Sequence, residues 1–183
     1  MAEQRRRIAS AEQIRAAVGA LADAIARDHP PGETLLIVAV LKGAVIFLAD
    51  LIRRLPMPLG IEFVRARSYS GTQQREIEIL DDVCELGLTG RRVLLLDCVL
   101  DSGRTLAALQ REVARCRPAS LKTCVLLGKQ RERAAAVEVD YVGLEIPDAF
   151  VVGYGLDCDG RWRHLPYLAA IEQQTSDATG GTQ

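Results

Sequence analysis

The chain has 183 residues, 49% of them hydrophobic and 26% charged, which is enough for one globular domain with a sizeable buried core. Its formal net charge of −1 and its 4% content of aromatic residues argue against a general nucleic-acid binder. The charged start of the chain lacks the apolar run of a signal peptide, and the longest apolar stretches are too short to span a membrane.

Helical and extended patterns alternate along the chain. Ser10 and Gln13 are suited to form a capping box, apolar residues then recur at helical spacing, and Pro30-Pro31-Gly32 ends this first predicted helix, residues 11–28. The later predictions, in chain order, are a strand at 35–41, a helix at 44–54, a strand at 61–67, a polar loop able to move at 68–76, a strand at 93–96, a helix at 105–115, a strand at 121–127 and short strands at 141–144 and 150–152.

This alternation predicts an α/β fold with a mostly parallel twisted sheet flanked by helices on both faces. We expect a single domain over residues 1–172 and a disordered polar tail at 173–183. Ligands bind at the carboxyl ends of the strands in such sheets. Three polar clusters are predicted there: Lys42-Gly43, the loop after Leu96, and the residues after Leu127.

The five cysteines are irregularly spaced and form no C-x-x-C pair; they are Cys84, Cys98, Cys116, Cys124 and Cys158. This pattern favours free thiols in a reducing compartment over a disulfide framework. We therefore expect a cytoplasmic location.

The segment after the strand at 93–96 has the chemistry of a phosphate-binding loop. A strand leads into Asp101-Ser102-Gly103-Arg104-Thr105, and a helix follows, so free backbone N–H groups and the positive end of the helix dipole converge at the turn. Gly103 allows an anion to approach the backbone closely. The carboxylates of Asp97 and Asp101 would repel a bare phosphate, but they suit a ligand that also offers hydroxyl groups or a metal ion. A ribose 5-phosphate is such a ligand.

The segment from Asp97 to Thr105 resembles the phosphoribosyl-pyrophosphate motif of type I phosphoribosyltransferases: two acids, two apolar residues, then Asp-Thr-Gly. The alternative is an ordinary Ser/Gly helix cap after an acidic strand end. Asp at position 101 is typical of the hypoxanthine-guanine group. The group's other motifs are matched, in order, by Leu41-Lys42-Gly43, Ser68-Tyr69, Lys129, the segment from Glu145 to Asp157, and Arg163. The resemblance covers about residues 10–172.

The resemblance implies a purine salvage enzyme that transfers 5-phosphoribosyl from phosphoribosyl pyrophosphate to hypoxanthine or guanine, with Mg²⁺ as cofactor. It also implies a small hood built from the chain ends, a homodimer or homotetramer, and a cis bond between Leu41 and Lys42. No membrane or nucleic-acid partner is expected.

The same resemblance implies a role for each matching residue. Asp101 and Lys129 would be catalytic, and Asp97 and Asp157 would hold the metal. Lys129, Phe150, Val151 and Asp157 would bind the purine. The phosphoribosyl and pyrophosphate groups would be bound by Leu41, Lys42, Gly43, Ser68, Tyr69, Asp97, Cys98, Asp101, Ser102, Gly103, Arg104, Thr105 and Arg163. The alternatives are a solvated strand-end lysine for Lys129, a core aromatic for Phe150 and a plain loop aspartate for Asp157.

The chain departs from the family pattern most clearly at Cys98, which replaces the second acid of the motif. A neutral thiol is a poor acceptor for a ribose hydroxyl. Three interpretations follow: an active enzyme with weaker ribose contact, a pocket shifted towards a different substrate, or a catalytically weakened nucleotide-binding or regulatory homologue. Separately from Cys98, a transferase that prefers xanthine is an alternative, because the 2-position of the purine is read largely by backbone groups. Ala149 stands where the family often has Lys.

Overall fold

The computed structural model describes residues 5–68 and 77–171, with the side chain of Ser68 left undescribed. The helices are α1 (Ala11–Asp28), α2 (Val45–Ile52), α3 (Arg104–Arg115) and a short 3-10 helix (Val83–Leu86). The strands are β1 (Arg5–Ala9), β2 (Leu35–Leu41), β3 (Leu59–Ser68), β4 (Ile77–Ile79), β5 (Arg92–Leu100), β6 (Ser120–Gln130), β7 (Tyr141–Pro147), β8 (Val151–Val152) and β9 (Leu168–Ile171). Among these helices, none combines the length and apolar character that crossing a lipid bilayer requires.

The main sheet has six strands in the order β4-β3-β2-β5-β6-β7, and all of them except β4 run parallel. Alternate residues of the apolar strand β2 enter two separate cores. Leu35, Ile37 and Ala39 pack with the apolar residues of α1 and α2, whereas Val38 and Val40 pack with those of α3 and the 3-10 helix. The predicted fold, a mostly parallel sheet with helices on both faces, is confirmed.

A second, antiparallel sheet in the order β1-β9-β8 joins the two ends of the described chain. It forms the small hood that the resemblance implied. Its strands β1 and β9 were not predicted, because Arg5-Arg6-Arg7 shows no apolar alternation and strand β9 is a run of only four residues.

Two central strands continue past their predicted ends. Strand β5 was expected to end at Leu96, but it pairs with β6 as far as Leu100, so Asp97 lies in the strand rather than in a loop. Strand β6 was expected to end at Leu127, but it pairs with β7 as far as Gln130 and carries Lys129. The backbone hydrogen bonds of a neighbouring strand stabilise these polar residues in extended conformation, and the sequence pattern does not reveal them.

The expectation that all the cysteines are free thiols is wrong. Cys84 of the 3-10 helix and Cys116, at the end of α3, form a disulfide with a Cα–Cα distance of 5.3 Å. The two residues are separated by 32 positions, so their spacing gave no signal. The packing of the 3-10 helix against α3 brings them together.

The predicted tail at 173–183 and residues 69–76 of the predicted moving loop lie outside the described residues. The domain limits and the mobility of that loop stay predictions. The capping box at the start of α1 is confirmed, since Gln13 N–H donates to the Ser10 hydroxyl and the Gln13 side chain accepts from Ser10 N–H.

Candidate functional site

The turn between β5 and α3 encloses a small cavity of about 60 Å³. It is lined by Asp97, Val99, Leu100, Asp101, Ser102, Gly103, Thr105 and Leu106. Helix α3 begins at Arg104, directly after this turn, and its first backbone N–H groups have no partner within the helix. Together with the positive end of the helix dipole and the nearby hydroxyls, they make the cavity suitable for a phosphate group.

Gly103 is required by the shape of this turn. Its φ of 80° lies in the left-handed region, and a Cβ there would lie 2.9 Å from Cγ1 of Val137 and 3.0 Å from the carbonyl oxygen of Ala135. The segment after β6 packs closely on the turn, since the N–H groups of Ala134 and Ala135 donate to the carbonyl oxygen of Ser102. The phosphate cavity is therefore supported from the side of β6.

Asp97 is half-buried and lines the cavity. Its Oδ1 accepts a hydrogen bond of 2.7 Å from Cys98 N–H, and burial raises the pKa of the carboxyl group to about 7 despite this bond. A half-buried carboxylate without a cationic side chain among its described contacts is a suitable ligand for a hard cation such as Mg²⁺. Asp97 therefore fits the implied metal.

Cys98 faces the opposite side of the sheet. Its side chain is fully buried in the core beneath α1 and α2, and its Cβ lies 3.8 Å from where a Cβ on Gly43 would be. Burial raises the pKa of the thiol, which therefore stays neutral. The predicted ribose contact of Cys98 stays a prediction, and the described thiol lies beneath Gly43, away from the cavity that Asp97 lines.

Four charged side chains meet beside the phosphate cavity. Lys129 Nζ lies 2.9 Å from Oδ2 of Asp101, and Arg131 Nη1 lies 2.8 Å from Oδ1 of the same carboxylate. Oδ1 of Asp148 lies 3.7 Å from Lys129 Nζ and 3.5 Å from Arg131 Nη1. Lys129 is only 10% exposed, so its ammonium group must be satisfied by partners at this site.

An exposed aromatic ring lies next to this charged cluster in the chain. Phe150 follows Asp148 by two residues and is 55% exposed, which contradicts the alternative of a core aromatic. The next residue, Val151, is buried in strand β8. An exposed aromatic ring therefore lies two residues along the chain from the charged cluster.

The Lys42-Gly43 turn meets the segment after β8. The Leu41–Lys42 bond is cis, as expected from the resemblance. A Cβ on Gly155 would lie 2.5 Å from the carbonyl oxygen of Gly43, so the two backbones are in close contact. Arg163 donates to the carbonyl oxygen of Gly155 at 2.6 Å and lies 2.6 Å from Oδ1 of Asp157. Two predicted anion-binding groups, Lys42-Gly43 and Arg163, thus both lie against Gly155.

The structure thus gathers predicted site residues into two groups. One part combines Asp97, Asp101, Ser102, Gly103, Thr105 and Lys129, and the other combines Gly43, Asp157 and Arg163. Arg104 opens helix α3, Ser68 ends strand β3, and Tyr69 lies outside the described residues. Arg131 and Asp148 were missed. Their position after the ends of β6 and β7 would have indicated them if those ends had been predicted correctly.

Comparisons with known proteins agree with this geometry. The phosphoribosyl transferase domain family matches residues 4–159. A hypoxanthine-guanine phosphoribosyltransferase from Mycobacterium bovis is 41% identical over 170 residues, which cover 89% of this chain and 84% of that protein.

Two solved structures extend the comparison to the fold. A hypoxanthine-guanine phosphoribosyltransferase from Bacillus anthracis gives a TM-score of 0.86 at 37% identity and covers 93% of this chain and 100% of its own. A hypoxanthine phosphoribosyltransferase from Trypanosoma cruzi, in complex with the product IMP, gives a TM-score of 0.81 at 33% identity and covers 94% of this chain and 96% of its own. This chain belongs to the phosphoribosyltransferase family, and within it to the hypoxanthine-guanine phosphoribosyltransferases.

Proposed function

We propose that this enzyme transfers 5-phosphoribosyl from phosphoribosyl pyrophosphate to hypoxanthine or guanine and releases IMP or GMP with pyrophosphate. The observation that carries the proposal is the position of Asp101. This carboxylate lines the phosphate cavity and also accepts a hydrogen bond from Lys129. Lys129 in turn lies 3.7 Å from Asp148, two residues before the exposed Phe150. One residue therefore connects a ribose-phosphate site with a site for a flat heterocycle.

The 5-phosphate of the substrate would occupy the cavity at the start of α3. Backbone N–H groups of the turn and the hydroxyls of Ser102 and Thr105 would donate to its oxygens. Asp97, which lines the same cavity, would face the ribose hydroxyls, and a carboxylate is a good acceptor for such donors. Arg104, the first residue of the helix, adds a fixed positive charge near the phosphate.

The purine would lie against Phe150, with its oxygen at position 6 directed to Lys129. An ammonium group is a donor only, so it complements the acceptor of a 6-oxopurine and mismatches the amino group of adenine. An unmatched buried polar group costs about 1–3 kcal/mol, which is enough to reject adenine usefully. Backbone groups at Val151, together with Asp157, would complete the purine contacts on the other edge.

In the reaction, the bond between C1′ and the pyrophosphate oxygen breaks while N9 of the purine forms a bond to C1′. Positive charge develops on the anomeric carbon, as in glycoside chemistry. Asp101 would accept the proton from N7 of the purine, and its negative charge would favour the cationic ribose. Arg163 and the Lys42-Gly43 turn would bind the departing pyrophosphate.

Asp97 and Asp157 are the residues we propose to hold Mg²⁺, which would neutralise charge on the pyrophosphate. The described residues contain no group of three or more His, Cys, Asp or Glu side chains that could bind a metal by themselves. Two separate carboxylates agree with an ion that takes most of its oxygen ligands from the substrate and from water. Asp157 is paired with Arg163, so binding of the metal would have to change this contact.

An assay of the purified protein with phosphoribosyl pyrophosphate, Mg²⁺ and one base at a time tests the proposal. We expect IMP from hypoxanthine and GMP from guanine, and no product from adenine. Turnover with adenine alone, or with none of hypoxanthine, guanine and xanthine, would contradict it. If the protein turns over xanthine preferentially, the proposed transfer reaction stands but its preferred base is xanthine.

We further propose that the protein is a cytoplasmic homodimer or homotetramer. Four large apolar side chains on α2 and β3 are exposed by about two fifths of their surface, and another subunit could cover them: Val45, Ile46, Ile61 and Phe63. The location follows from the substrate, because a highly charged phosphorylated sugar does not cross membranes and is available where it is made. Light scattering of the purified protein measures the oligomeric state.

A further inference from the structure

Arg131 directly follows strand β6 and has no role in the proposed reaction so far. Its Nη1 lies 2.8 Å from Oδ1 of Asp101, whereas Lys129 Nζ lies 2.9 Å from Oδ2. Each of the two cations therefore contacts a different oxygen of the carboxylate. Arg131 also lies 3.5 Å from Oδ1 of Asp148, which holds it from the side of strand β7.

This division matters when a purine enters. Lys129 is the donor proposed to bind the oxygen at position 6, so it must share or give up its contact with Oδ2 of Asp101. Oδ2 then becomes available for the proton on N7 of the purine. Arg131 is not needed for the base contact and can keep its hydrogen bond to Oδ1. A carboxylate held by one oxygen keeps its orientation while the other oxygen reacts.

Arg131 also acts on Asp101 through its positive charge. The groups that face Asp101 are Lys129 and Arg131 from the end of β6, and Asp97 lies in the same cavity from β5. Asp148, after β7, pairs with both cations. Once Lys129 turns to the base, Arg131 is the cation left beside Asp101 among these groups. Its positive charge then lies next to the carboxylate that accepts the proton.

We propose that Arg131 is a positioning residue for Asp101, holding Oδ1 so that Oδ2 accepts the purine proton while Lys129 binds the base. The inference rests on the proposed function of the same site. In this arrangement Oδ2 of Asp101 accepts the proton from N7 of the purine. Lys129 binds the base, and Arg131 orients the carboxylate.

The test compares Arg131→Ala, Arg131→Lys and Arg131→Ala combined with Asp101→Asn, each assayed with hypoxanthine and phosphoribosyl pyrophosphate over a range of pH. The matched control is Arg115→Ala, which removes an exposed arginine–carboxylate pair, 3.0 Å from Glu112, remote from this site. Turnover by the unmodified protein is measured first, because its failure would refute the proposed function itself.

We expect Arg131→Ala to lower kcat about fivefold to tenfold with little change in the KM for either substrate, since the contact acts on the reacting group. The acidic limb of its kcat/KM profile should move to higher pH, because the carboxylate has lost a stabilising cation. Arg131→Lys, which keeps the charge, should restore the limb. In the Asp101→Asn background, Arg131→Ala should cost nothing more.

Three results would overturn the proposal while leaving the transfer activity established. One is an Arg131→Ala variant that matches Arg115→Ala in kcat and pH profile. The second is a rise in the KM for hypoxanthine with kcat unchanged, which would make Arg131 a direct contact of the base. The third is an additive loss in the double variant, which would show that Arg131 acts independently of Asp101.

Discussion

Asp97 and Asp101 belong to one segment of the chain but lie in different environments. Asp101 faces two cations, Lys129 and Arg131, whereas Asp97 is half-buried and burial raises the pKa of its carboxyl group to about 7. Two carboxylates with different surroundings can perform different tasks in one site. We assign proton transfer to Asp101 and contact with ribose and metal to Asp97.

The role of Asp101 predicts the effect of Asp101→Asn. An amide has almost the same shape but cannot accept the purine proton, so kcat should fall about a hundredfold to ten-thousandfold. Binding of phosphoribosyl pyrophosphate should be retained, because Asn leaves the backbone N–H groups of the turn in place. Steady-state kinetics and calorimetric titration with the sugar substrate measure the two quantities. Full activity in this variant would refute the assigned role.

The raised pKa of Asp97 predicts a stability that depends on pH. A carboxyl group whose pKa is about 3.9 in an unfolded chain and about 7 in the folded protein binds a proton more tightly when folded. Its contribution to stability is therefore full at acidic pH and is lost as the pH rises to about 7. Asp97→Asn removes this loss and keeps an acceptor for Cys98 N–H.

Asp97→Asn should therefore gain about 1–3 kcal/mol in free energy of unfolding, relative to the unmodified protein, between about pH 5 and about pH 8. Urea denaturation of both proteins at these pH values measures the difference. The same variant should bind phosphoribosyl pyrophosphate with Mg²⁺ more weakly, since the charge that would attract the metal is gone. A stability difference that does not vary with pH would contradict the raised pKa.

At the scale of elements, strand length decides where the functional side chains lie. Along β5, Leu94 and Leu96 face the core beneath α1 and α2, and Cys98 continues on that face. Asp97 faces the opposite side of the sheet, as Val93 and Leu95 do, and lines the cavity at the start of α3. The replacement of the family's second acid by Cys98 therefore alters the buried face beneath Gly43, while the face that carries Asp97 keeps its carboxylate.

The disulfide between Cys84 and Cys116 predicts a stability that depends on reduction. It links the 3-10 helix to the end of α3 and closes a loop between two cysteines that are 32 positions apart in sequence. Because a cross-link of this kind restricts the unfolded chain, reduction should lower the free energy of unfolding by about 2–4 kcal/mol. Denaturation with and without a thiol reductant measures this change.

The double variant Cys84→Ser with Cys116→Ser is the control for this comparison. It should match the reduced protein and should not respond to the reductant. Alkylation of all five cysteines in the unreduced, unfolded protein, detected by mass spectrometry, would show that the cross-link does not form in solution.

At the scale of the whole molecule, the second sheet connects the two ends of the described chain to the segment that we propose to bind the purine. Strand β8 contains Val151, which follows Phe150, and pairs with β9, and β9 pairs with β1. Arg5 also stacks over Trp162, with its guanidinium carbon 4.1 Å from the ring centroid. The beginning of the described chain thus supports a strand that we propose to bind the base.

Deletion of residues 1–8 tests this connection. It removes most of β1 and leaves the capping residue Ser10 of α1 in place. We expect a loss of about 1–3 kcal/mol in stability and a rise in the KM for hypoxanthine that exceeds any rise for phosphoribosyl pyrophosphate. Deletion of residues 1–4 alone, which spares β1, is the matched control. Equal effects on the two KM values would argue against the connection.

The architecture and the turn that carries the candidate phosphate site could be predicted from the sequence. Alternation of apolar runs with helical patterns is a local property, so the positions of α1 and β2 and the layered fold were predictable. The Asp101-to-Thr105 turn was recognisable too, since strand, glycine and helix follow one another in the chain. These features depend on neighbours in sequence, and their chemistry can be derived from residue types.

The charged contacts beside Asp101, the disulfide and the second sheet became visible only in the folded protein. Strand pairing extended β5 and β6 beyond their apolar runs, and this brought Arg131 to Asp101 and Asp148 to Arg131. The Cys84–Cys116 bond and the sheet that joins β1 to β9 likewise depend on distant segments. Such contacts are stabilised by hydrogen bonds and packing between parts of the chain that carry no mutual signal in sequence, so they emerge only when the chain is folded.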